Sequence, residues 1–130
     1  MVFSLKKHIY FVISQGRLKA TELESGNSLE ESLATVVHPR TPIGNFDNLE
    51  TIFSRAIKEL VPKNFFLASP CIYLHLLDEV DGGYTQIEIR AFKEAALGAG
   101  AREVHMPDSR TLLTAEQLLA KEFRELDDSF

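Results

Sequence analysis

Between Gly82 and Met106 a glycine pair, a capped helix, two further glycines and a strand follow one another, and that order leaves few folds open. Gly82-Gly83 allow a tight turn at positive φ. Thr85 and Glu88 stand in the T-x-x-E relation of a capping box, so each satisfies a backbone N–H at a helix start. Ile87, Ala91 and Ala95 fall four apart with Phe92 beside them, which predicts an apolar stripe on one helix face. Gly98 and Gly100 offer left-handed stops. Ala101 to Met106 then reads as a strand with Val104 and Met106 on one side. Ahead of the unit, Pro70 precedes Cys71-Ile72-Tyr73-Leu74-His75-Leu76-Leu77, an apolar run suited to a buried parallel strand. Strand, turn, helix, stop and strand make one crossover unit.

The remaining chain supplies the rest of a sheet. His8 to Ser14 is β-branched and aromatic throughout, the pattern of a central strand covered on both faces. Gln15-Gly16 predicts a two-residue hairpin turn, and Arg17 to Thr21 alternates polar and apolar as a strand with one wet face does. After the turn signal Glu24-Ser25-Gly26-Asn27, Leu33-Ala34-Thr35-Val36-Val37 reads as a third strand, with Glu30 and Glu31 as its charged lead-in. A loop follows from His38 to Asn45. Asp47 and Glu50 predict a helix cap, and Leu49, Ile52, Phe53, Ala56, Ile57 and Leu60 keep the i, i+3, i+4, i+7 series up to Pro62. Thr114 and Gln117 make a last capping box, opening a helix to Leu126 with Leu118, Leu119, Phe123 and Leu126 apolar. That final helix either closes over the sheet within the same chain or offers a surface to another chain, and closure is the expected role because one amphipathic stripe is usually core.

The order β-β-β-α-β-α-β-α, three hairpin-linked strands and two right-handed crossovers, predicts an α/β fold of the actin-like or ribonuclease-H-like half-fold type. Its mixed five-stranded sheet should run 3-2-1-4-5 with helices on its faces. With 130 residues, a single domain over 1–130 is expected, long enough to bury a core. A net charge of −5 argues against nucleic-acid binding through a basic surface. No apolar run approaches the roughly 20 residues that span a bilayer. The start of the chain has too few apolar residues for a secretory signal, and the single Cys71 excludes an internal disulfide, so the cytoplasm is the expected compartment.

The glycine turn with Thr85, the run into Arg90-Ala91, and above all Ala95-Ala96-Leu97-Gly98-Ala99-Gly100-Ala101-Arg102-Glu103-Val104 resemble the MreB family of bacterial actin homologues. The similarity is strongest over Gly82–Val104 and corresponds to the family's first subdomain, from the end of its fourth strand into its fifth. It implies ATP held by two phosphate loops, one at the first hairpin and one after the fourth strand, together with a lobe that these residues lack. The family's first loop is of Asp-Leu-Gly-Thr type, its Asp serving the metal. The matching Phe11 to Arg17 carries no carboxylate, whereas Mg²⁺ needs hard oxygen ligands. The Glu-Pro expected after the fifth strand is replaced by Pro107-Asp108-Ser109. Nucleotide hydrolysis is therefore not expected, and no cofactor is.

A two-metal nuclease fails the same test. Asp78, Glu79 and Asp81 close the fourth strand, but the first offers no carboxylate to pair with them, so these acids read as a solvated loop. Gly82, Gly83 and Thr85 are the candidates for a remnant phosphate site, with a plain capped turn preferred because no Lys follows in P-loop spacing. His8, His38, His75 and His105 lack metal-ligand spacing, so no metal site is expected, and Cys71 reads as a buried inert thiol. No catalytic set emerges. The expected function is that of a non-enzymatic bacterial interaction protein, tied through the resemblance to cell shape, division or envelope stress. Its partner is a protein of unspecified identity, with homo-oligomerisation open. The alternative is a small-molecule or nucleotide-binding module.

Overall fold

The computed structural model describes residues 7–33, 46–61, 69–78 and 82–126. The strands are β1 (His8–Ser14), β2 (Arg17–Glu22), β3 (Ser28–Ser32), β4 (Cys71–Leu76) and β5 (Glu103–His105), and the helices are α1 (Phe46–Leu60), α2 (Gln86–Gly98) and α3 (Ala115–Leu119). The five strands form one sheet in the order β3-β2-β1-β4-β5. β2 runs antiparallel to β1 and β3, while β4 runs parallel to β1 and β5. This is the expected α/β half-fold, with β1 at its centre.

Alternation along the strands gives the sheet two different faces. Ile9, Phe11 and Ile13 of β1 with Ile72, Leu74 and Leu76 of β4 share one core with α1 and α2. Both crossovers, β3 to β4 and β4 to β5, step the same way across the sheet, so right-handed connections lay both helices on that face. α1 sits toward β2 and β3, reaching β1 through Phe53, whose ring lies 5.0 Å from that of Phe11. α2 lies over β4 and β5 and packs on α1. Tyr10, Cys71, Tyr73 and Leu118 form a second cluster on the opposite face, with Val12, Leu23, Leu113 and Phe123 against it.

Several elements depart from the sequence reading. The third strand is Ser28–Ser32, so the expected charged lead-in is the strand itself. Pairing resumes directly after the turn, with Thr21 opposite Ser28 and Leu18 opposite Glu31. Of the expected 33–37 strand, residues 34–37 lie outside the described residues, and Leu33 is buried beyond the end of β3. α1 begins at Phe46, one residue before its expected cap Asp47. The buried stripe of α2 is Ile89, Phe92, Ala95 and Ala96, whereas Ile87 is 82% exposed. Gly98 is the last helical residue rather than a left-handed stop, and a Cβ there would collide with the Glu50 carboxylate of α1. The positive φ falls at Gly100.

The last expected helix is cut short. The Thr114–Gln117 capping box forms, but α3 ends at Leu119 and Lys121 turns to a φ of 57°. Residues 124–126 then run extended beside 106–108: Asp108 N–H donates to Arg124 O at 2.7 Å and Leu126 N–H to Met106 O at 2.8 Å. The intramolecular closure still holds. Leu118 is buried on the second face, Leu126 packs into the first core, and Leu119 alone of the four is 46% exposed.

Candidate functional site

Because β1 and β4 are parallel neighbours, their carboxyl ends meet at one end of the sheet, where α/β folds place ligands. The β1–β2 turn has Gln15 at φ 51° and Gly16 at φ 72°, the two positive values that match strand twist in a two-residue hairpin. Gln15 is thus a non-glycine residue in the left-handed region. Its N–H is held by the Asp78 carboxylate, at 3.0 and 2.9 Å to the two oxygens, while the Ser14 hydroxyl lies 3.5 Å away. Tyr84 O–H donates to the Asp78 carbonyl at 3.0 Å. Asp78 is therefore a half-buried clasp on the first turn, which corrects its reading as part of a solvated loop. Glu79 and Asp81 lie outside the described residues.

An open cleft of about 320 Å³ begins here, lined among others by Asp78, Gly83, Tyr84, Ser109 and Arg110. Gly82 and Gly83 stand at φ 78° and 77°. Thr85 Oγ1 accepts the Glu88 N–H at 3.1 Å and Thr85 N–H donates to Glu88 Oε1 at 2.8 Å, so the capping box already engages the Thr85 N–H of the candidate remnant site. Burial, with Asp78 and Glu88 nearby, pushes the Tyr84 phenol up to about 12. The cleft thus sets the Asp78 and Asp108 carboxylates against one cationic side chain, Arg110.

The second face carries three of the four histidines. His75 Nε2 lies 2.7 Å from the Ser109 carbonyl, which only accepts, so Nε2 bears the proton. Nδ1 then accepts from Tyr10 O–H at 2.6 Å, and the Tyr10 oxygen accepts the Leu113 N–H at 3.2 Å. This closed relay is the satisfied core histidine that the sequence suggests, and burial lowers its pKa against a weaker opposing pull from Ser109 and Asp108. His8 rests on the Tyr73 ring, with centroids 6.1 Å apart, and binds Glu24 through Nδ1 at 2.6 Å.

At the amino ends of β4 and β5 the register sets Cys71 opposite Glu103 and Tyr73 opposite His105. Donor atoms of Cys71, Glu103 and His105 lie within 4.8 Å of one another. Burial, then the Glu103 charge, pushes the Cys71 thiol up to about 11. Sequence spacing predicts no metal-ligand set, and the constellation escapes it because residue 71 is far from 103 and 105. The available signal is a Cys heading one strand and a Glu-x-His heading the next.

Sheet order and crossover directions define an actin-like half-fold, with a cleft at the carboxyl end of β4. No family model matches the chain. It is similar in part to the cell shape-determining protein MreB of Pasteurella multocida and to that of Haemophilus influenzae, at 42% identity over 64 residues in each case. The matched segment is 49% of this chain and 17% of either relative, so the similarity spans about a sixth of their length.

Proposed function

We propose that this chain is a non-enzymatic bacterial interaction protein, built on an actin-like half-fold akin to the first subdomain of MreB and acting in cell shape from the cytoplasm. The observation that carries this reading is the Asp78 clasp. At the first hairpin, where the resemblance implies a phosphate loop, the turn N–H is bound to a carboxylate, and a second anion there meets repulsion instead of a donor. β1 supplies no carboxylate for a metal. The partial identity with two cell shape-determining proteins supports the cellular setting. Among the described residues no helix is long and apolar enough to cross a membrane.

A thermal-shift titration with ATP and Mg²⁺ tests this most directly. A ligand at 100 times its Kd adds about 2.7 kcal/mol of stability, and no shift is expected. A saturable shift that Gly83→Val removes would replace the interaction reading with a nucleotide-binding one. Light scattering of the chain mixed with purified MreB tests the partner, and two species that each keep their separate masses would remove MreB from consideration.

A further inference from the structure

We propose that Cys71, Glu103 and His105 form a binding site for Zn²⁺, with the Cys71 sulfur, a Glu103 oxygen and His105 Nε2 as ligands and water in the fourth position. The donor set of one soft thiolate, one imidazole and one carboxylate suits zinc better than Mg²⁺ or Ca²⁺, which take oxygen ligands. Three protein ligands plus an open position is a common zinc arrangement.

The geometry is close to what the ion needs. Tetrahedral bonds of about 2.0–2.3 Å put neighbouring ligand atoms roughly 3.4–3.6 Å apart. His105 Nε2 already stands 3.6 Å from Glu103 Oε2, and all three donor atoms lie within 4.8 Å of one another. Small side-chain rotations therefore suffice, since the backbone is fixed by the β4–β5 register. The other Glu103 oxygen faces Arg102 at 3.7 Å, which leaves Oε2 for the ion.

Two independent observations point to a ligand. His105 Nε2 is the one buried side-chain nitrogen or oxygen among the described residues with no hydrogen-bond partner, and it faces this cluster. Buried polar atoms are normally satisfied, so an orphan aimed at a thiol and a carboxylate requires an explanation. The opposite ring nitrogen, Nδ1, lies 3.3 Å from Glu125 Oε2, and the Glu125 carboxylate is itself held by the Met106 N–H at 3.3 Å. Carboxylate to histidine to metal is the arrangement that fixes the tautomer and orientation of a zinc ligand. Tyr73 and Phe123 box the imidazole, with ring centroids 5.7 and 6.5 Å away. Glu103, 45% exposed, leaves an entry path from solvent. On binding, the Cys71 sulfur exchanges its proton for the metal and the proton leaves to solvent.

Titration of the tag-free chain with Co²⁺, followed by displacement with Zn²⁺, tests the site. The expected result is one equivalent bound, with tetrahedral d–d bands and a thiolate-to-cobalt charge-transfer band that Zn²⁺ abolishes. Cys71→Ser should remove the charge-transfer band while circular dichroism shows the fold intact. Glu125→Gln should weaken Zn²⁺ binding by roughly 10–100-fold through the second ring nitrogen, and Glu103→Gln by at least as much. Should Cys71→Ser fail to fold, the two glutamate variants decide, because both side chains are nearly half exposed. A folded wild-type chain without a charge-transfer band, or Zn²⁺ affinity unchanged in Glu103→Gln, overturns the proposal.

Discussion

The Asp78 carboxylate receives the Gln15 N–H at 2.9 and 3.0 Å, although the two residues are 63 positions apart. The bond ties the end of β4 to a turn whose first residue sits at φ 51°, where a side chain costs roughly 1–2 kcal/mol. Asp78→Ala should lower stability by about 1–2 kcal/mol, the range for a partly exposed charge-assisted bond. Gln15→Gly keeps the N–H and relaxes the backbone, so it should be neutral or stabilising by up to about 1 kcal/mol. Urea midpoints in the reverse order would show that the clasp does not hold the turn.

His75 gives the protein a pH dependence of definite sign. Its folded pKa is lowered chiefly by burial, with Tyr10 as its hydroxyl partner and Asp108 as the carboxylate acting the other way. Below about 6.5 the unfolded chain takes up a proton that the folded one resists, so stability is lost as pH falls through that value, by at most about 1.4 kcal/mol per pH unit. Above it the contribution is complete. Stability of the wild type minus that of His75→Gln, measured at pH 7.5 and 5.5, isolates this group. A difference that grows on acidification contradicts the assignment of a neutral, Nε2-protonated ring.

Phe53 and Thr85 separate core packing from capping. Phe53 is fully buried against Phe11, and Phe53→Ala should cost roughly 3–5 kcal/mol. Thr85→Ala removes a cap bond at the surface and should cost nearer 1 kcal/mol. Guanidinium midpoints that rank the cap variant as the more damaged would reverse these roles.

Ending the chain after Ser109 removes Leu113, Leu118 and Phe123 from the second face and uncovers Tyr10, Cys71 and Tyr73. The shortened protein should lose Tm or aggregate. If it stayed monomeric at the wild-type Tm, the closing segment would be a device for partners and not part of the core.

The sheet was legible where one signal sufficed. The hairpin glycine, the largely apolar and wholly buried Cys71–Leu76 and the Thr85–Glu88 box each point to one local structure, and together they define strand order, central strand and helix start. Local pattern misleads where tertiary pairing overrides it. Leu33 to Val37 looks more strand-like than Ser28-Leu29-Glu30-Glu31-Ser32, yet the turn at Gly26-Asn27 commits the chain to pair at once. Lys121 to Leu126 has helical spacing, but Arg124 and Leu126 pair with Asp108 and Met106 instead. Ile87 fits a four-residue stripe whose true centre, Ile89 and Phe92, is set by where α1 lies. The glycines ahead of α2 are visible as candidates, whereas the Asp78 clasp and the Cys71, Glu103 and His105 grouping depend on strand adjacency. Sequence spacing does not encode that.

The pairing of β1 with β4 also governs how the molecule forms. Tyr10 and His75, bonded across these strands, are 65 positions apart. Neither the two-helix layer nor the closing segment has a floor until those strands meet. Hairpin β1–β2 and the capped helix can appear early, being local, but they wait on a distant encounter whose rate reflects topology more than stability. Tyr10 and Tyr73 both report on that encounter from the same face, and in a chain without Trp a Tyr84→Phe background leaves them as the two tyrosine emitters. Stopped-flow refolding can therefore time closure of the second face without any added probe.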